Sequence, residues 1–121
     1  MSDQGAHLYR CDFQVHTPRD RCWSGPDSVS DVERRAYAAS LVEACRERGL
    51  QAIAMTDHHD MDFIPWERRA TAEETDEDGT PLAENDRLVV FPGMELTLGV
   101  PCQALLLFDA EFPDRHCFRW R

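Results

Sequence analysis

The chain has 121 residues, of which 42% are hydrophobic, so a packed core is within reach and disorder is not the default. Its formal net charge of −10 speaks against gripping nucleic acid through phosphates, which takes a basic face, and the absence of lysine excludes Schiff-base and P-loop chemistry for these residues. No apolar run nears the roughly 20 residues that cross a bilayer, and the N-terminus lacks the basic and apolar regions of a signal peptide, so the chain reads as cytoplasmic.

Residues 1–7 read as a tail and 8–121 as one partial domain. From Leu8 to His16 the chain alternates, with Tyr9, Cys11, Phe13 and Val15 on one face and Asp12, Gln14 and His16 on the other, as a strand should. Thr17 to Asp27 is a loop rich in proline, glycine and charge. Ser30 and Glu33 form a capping box that opens a helix, whose apolar stripe is read as Val32, Ala36, Ala39, Val42 and Cys45 and whose end is Gly49. Leu50 to Met55 is short and apolar without alternation, the pattern of a strand buried on both faces. Strand, helix, strand in about fifty residues is a βαβ unit with parallel strands. Their C-terminal ends then bring His16 and the pair Asp57-His58 to one rim, where α/β proteins keep their chemistry.

A second helix is expected from Pro65 to Glu74, with proline in its first turn. Seven of the 23 acids follow between Glu73 and Asp86, leaving 16 acids against 13 arginines elsewhere, so the acidity is largely that of one solvated loop. Leu88 to Phe91 reads as a third strand that delivers Glu95 to the rim after Gly93, and Ala104 to Phe108 as a fourth. The five cysteines are odd in number and contain no Cys-x-x-Cys pair, so neither a disulfide framework nor a zinc knuckle is indicated.

Imidazoles and carboxylates delivered by separate strand ends are what a metal site for hydrolysis requires: nitrogen donors suit zinc, manganese or iron, and a carboxylate can bridge two ions. Taken singly, each has a plainer reading. His16 can be an ordinary hydrogen-bonded histidine, Asp57 a turn acid, Glu95 a partner for arginine, and Thr17 a residue that bonds to its turn. His58 and His59 are adjacent and cannot both reach one centre from a regular strand; His58 is the better candidate. Asp20 and Asp27 lie in the first loop, and spacing does not choose between them as a further ligand. His7 and His116 read as bystanders.

The ordered set Asp12-x-x-x-His16-Thr17, Gly49-Leu50-x-Ala52-Ile53-Ala54-Met55-Thr56-Asp57-His58 and Pro92-Gly93-Met94-Glu95 resembles the first three motifs of the PHP domain, named for polymerases and histidinol phosphatases. The resemblance covers roughly residues 8 to 109. It implies an α/β fold, the N-terminal half of a distorted seven-stranded β/α (TIM-like) barrel. It also implies a metal-dependent phosphoesterase in which a metal-bound hydroxide attacks a phosphate ester. On these motifs His16, His58 and Glu95 match metal ligands, with Glu95 the bridge. Asp12 and Asp57 are the candidate catalytic carboxylates, Asp12 acting from behind the ligands. Two divalent ions (zinc, manganese or iron) are implied, or fewer, because Gln14 and Gln103 stand where the family commonly has histidines and glutamine is a poor donor. The implied partners are a phosphate-ester substrate, either a small molecule or a nucleic-acid end, the C-terminal remainder of the barrel, and an ATPase domain of the SMC-like type; no membrane is implied. The alternative is a degenerate, inactive PHP module serving as a scaffold in a larger nucleic-acid-processing or ATPase protein.

Overall fold

The computed structural model describes residues 5–119; residues 1–4 of the expected tail, with Trp120 and Arg121, lie outside the described part. A curled four-stranded sheet in the order β1 (Cys11–Val15), β2 (Ala52–Met55), β3 (Val89–Thr97), β4 (Gln103–Leu107) carries two helices, α1 (Asp31–Glu47) and α2 (Ile64–Ala72). The capping box forms as its residues dictate: Ser30 Oγ accepts the Glu33 N–H, and the Glu33 carboxylate accepts the Ser30 N–H. Past the helix Gly49 takes the left-handed φ of 70° that lets the chain turn into β2.

Both helices cover one face of the sheet. Ala38, Val42 and Cys45 of α1 pack with Ile53 and Met55 of β2, Phe63 and Ile64 at the start of α2, and Val90 and Met94 of β3. This corrects the phase of the expected stripe: Ala36 and Ala39 are exposed, as is Val32, in the first turn. All four residues of β2 are buried, as an apolar run without alternation requires. The other face is open, and Phe13, Val89, Leu105 and Leu107 each keep about two fifths of their surface exposed there.

β1 and β2 are parallel, but their register slips. Cys11 lies opposite Ala52 and Asp12 opposite Ile53, whereas Val15 lies opposite Met55, so β1 has one residue more than its partner over this stretch. A bulge of this kind inverts the alternation beyond it. Val15 therefore packs against the helix-side core, and Phe13 meets Phe91 edge-on at 6.0 Å on the open face. The expectation that Asp12 shares a face with Gln14 and His16 is corrected by this extra residue.

β3 runs on through Pro92-Gly93-Met94-Glu95, so Glu95 sits inside a strand instead of beyond its end. β2 and β3 are parallel; β4 returns antiparallel to β3, since the link 98–102 is too short for a crossover. Gly93 is required by this pairing: a β-carbon there would lie 2.6 Å from the Leu106 carbonyl oxygen and 3.2 Å from the Thr56 methyl. Among the described residues no helix is long and apolar enough to cross a membrane.

Candidate metal centre

Beyond Met55 the β2–β3 ladder resumes for one step. The Glu95 N–H donates to the Asp57 carbonyl at 3.0 Å and the His59 N–H donates to the Glu95 carbonyl at 3.1 Å, which makes His58 and Glu95 a parallel bridge. Residues paired in this way present their side chains to the same face, and His58 Nε2 lies 2.9 Å from Glu95 Oε2. The chain then leaves through His59 at a left-handed φ of 53°, uncommon for a residue with a β-carbon. Its ring Nε2 accepts the Thr97 N–H at 3.2 Å, so His59 ties the loop to β3.

β1 supplies the second imidazole. After the bulge His16 reaches the same carboxylate, with Nε2 3.2 Å from Glu95 Oε2, and its ring centroid lies 5.3 Å from that of His58. Gln14 Nε2 donates to the other oxygen, Glu95 Oε1, at 3.4 Å. Pro18 then opens a turn closed by the Asp20 N–H on the Thr17 carbonyl at 2.9 Å, which folds Asp20 back under the histidines. Asp20 Oδ1 accepts the His58 N–H at 2.7 Å and lies 2.8 Å from His58 Nδ1, while Oδ2 accepts the Cys22 N–H at 2.9 Å. Burial pushes the Asp20 carboxyl up, but these bonds from His58 and Cys22 outweigh it and hold the group below the usual carboxylate range. The ligand atoms of His16, Asp20 and His58 lie within 4.8 Å of one another, and this group can hold a metal ion.

The structure thus brings His16, His58 and Glu95 together and adds Asp20, which sequence spacing left level with Asp27. Asp27 is exposed. The signal for Asp20 was the Thr17-Pro18 turn start, which returns the chain within three residues. Asp12 is not in the cluster: it is exposed, and its Oδ1 accepts the Gln14 N–H at 3.0 Å. Asp57 is buried, and both its oxygens are taken by Thr17, Oδ1 by the N–H at 2.7 Å and Oδ2 by the hydroxyl. It acts as a strut between the two loops that carry His16 and His58. Burial raises its carboxyl to about 7 against the opposing Thr17 bonds, with the charges of Asp20 and Asp60 adding to the rise. Gln103 lies opposite Thr97 at the start of β4, two positions beyond the Glu95 pair.

Comparison with protein-family models, curated proteins and solved structures finds no match for this chain. The PHP resemblance therefore rests on the motif residues of the sequence alone.

Proposed function

We propose that this chain is the N-terminal half of a PHP-type, TIM-like barrel and that its rim is the start of a metal-dependent phosphoesterase site. One observation carries the reading. His58 Nδ1 lies 2.8 Å from Asp20 Oδ1, His58 Nε2 lies 2.9 Å from Glu95 Oε2, and His16 Nε2 faces the same oxygen at 3.2 Å. Among the described residues neither His16 Nε2 nor Glu95 Oε2 finds a hydrogen bond, although both atoms are buried. Ring nitrogens and a carboxylate oxygen converging at this range call for positive charge among them, which a divalent ion supplies as well as a ring proton does. Two donors each about 2.1 Å from one ion stand roughly 3 to 3.5 Å apart, which is the spacing seen.

On this reading His16 Nε2, His58 Nε2 and Glu95 would hold the ion, and Asp20 fixes the His58 ring from behind, the carboxylate–histidine arrangement that raises a ligand's basicity. When bound, a divalent ion makes water acidic and draws charge from a phosphoryl oxygen. The chain's own contribution is rigidity: the Thr17–Asp57 strut and the Asp20 bonds set both imidazoles before substrate arrives.

Gln14 supports the scaffold alternative, since its amide occupies Glu95 Oε1, where a further donor would serve a second ion. The two readings part on Gln14→His. As a phosphoesterase, the parent takes up one zinc or manganese ion firmly and a second weakly. Gln14→His tightens the second by roughly tenfold or more, with a gain in hydrolysis of a generic phosphate ester. Metal titration and the ester assay on both proteins check this; no metal and no hydrolysis in either would leave the inactive scaffold.

A further inference from the structure

The geometry points to Arg21 as the residue that receives the anionic substrate, by binding the non-bridging oxygens of a phosphate monoester dianion held over the His16–His58–Glu95 cluster. This rests on the phosphoesterase reading and adds the substrate's charge class. Arg21 directly follows Asp20, and its guanidinium reaches across to β3, where Nη2 donates to Thr97 Oγ1 at 3.0 Å. Thr97 lies two residues beyond Glu95, so the two side chains share a face and stand about 6 to 7 Å apart along the strand. Arg21 is exposed, and this bond ties it to the strand that carries Glu95, two residues beyond that carboxylate.

Charge separates Arg21 from its neighbours. Arg19, on the same loop, is committed to Asp60 at 3.2 Å and Asp62 at 2.8 Å. Arg21 has no carboxylate within ion-pair distance among the described residues, and one hydrogen bond leaves most of its five N–H donors unused. What sets it apart from the other arginines without an ion pair is its bond to the strand that carries Glu95. The carboxylates Asp20 and Glu95 offset the charge of one divalent ion, so a dianion beside it gains from a further positive group. A guanidinium supplies that charge, and its planar fork suits two phosphate oxygens at once. A diester, with one charge and one non-bridging oxygen fewer, has only one such oxygen left for the guanidinium once the other meets the ion, and gains much less.

Isothermal titration of inorganic phosphate into the manganese-loaded 121-residue chain tests this, with Arg21→Ala and Arg21→Lys beside the parent. Arg21→Ala should weaken phosphate by at least about tenfold, Arg21→Lys by less, and manganese affinity should stay within about twofold in all three. KM for p-nitrophenyl phosphate should rise in Arg21→Ala, while KM for bis(p-nitrophenyl) phosphate should hardly move. If the parent binds phosphate and Arg21→Ala binds it equally well, the role of Arg21 is wrong and the phosphoesterase reading survives. Parent protein that takes up manganese but no phosphate, or no manganese at all, would overturn both.

Discussion

His58→Ala is expected to remove tight divalent-metal binding from the chain while leaving its fold in place. The loss should exceed the roughly 10- to 100-fold that follows removal of an outer partner, because the change deletes a nitrogen donor itself. It also leaves the buried carboxylates of Asp20 and Glu95, both at 5% exposure or less, without the ring that separates them. The backbone is spared, since the His58 N–H that bonds Asp20 belongs to the main chain. His59→Ala is the control: it removes the bond to the Thr97 N–H and should cost metal little. Calorimetric zinc or manganese titration, with circular dichroism to verify folding, gives the comparison. Equal metal affinity in parent and His58→Ala would place the ion elsewhere.

The second large effect is on stability, at Glu67. This carboxyl lies on α2 at 0% exposure, and neither oxygen has a hydrogen-bond partner among the described residues. Burial raises it from 4.5 to about 8, with the charge of Glu74 adding to the rise. A raised acid holds its proton longer in the folded state than in the unfolded one. Its contribution to stability is therefore intact below pH 4.5 and is lost progressively as pH climbs toward about 8. At about 1.4 kcal/mol per unit the loss is on the order of 4 kcal/mol, a large share of what holds a small domain together. Glu67→Gln keeps the shape and cannot ionise, so at pH 8 in chelator it should melt well above the parent, by roughly 10 °C, and near it at pH 5. Asp57 loses stability over an overlapping window, from 3.8 to about 7, and that part of the slope remains in the variant. Parallel melting-temperature profiles for Glu67→Gln and parent between pH 5 and 8 would show that Glu67 does not carry this charge penalty.

The parts of the fold that local chemistry dictates were legible in the amino-acid order. Ser30 and Glu33 can satisfy the first N–H groups of a helix only by capping it, and the run Ala52–Met55, apolar on both faces, had to be a covered strand. What escaped depends on counting across strands. The extra residue between Asp12 and Val15 leaves no mark in composition, yet it turns Gln14 and His16 to the Glu95 side and excludes Asp12. His58 and Glu95 were readable because each ends or interrupts an apolar run. Asp20 was not, because its place is set by a turn and three hydrogen bonds from His58 and Cys22 that no spacing rule encodes. Asp57 could be read as reactive only while Thr17 was assigned to its own turn; the structure spends both residues on each other.

The position of a bound ion separates the accounts most directly. Anomalous scattering from crystals of this chain grown with manganese should place one strong peak within about 2.0 to 2.3 Å of His16 Nε2, His58 Nε2 and a Glu95 carboxylate oxygen, with Asp20 still bonded to His58 Nδ1. A peak on the Nδ1 side, held by Asp20 in place of Glu95, or full-occupancy manganese away from both histidines, would contradict it.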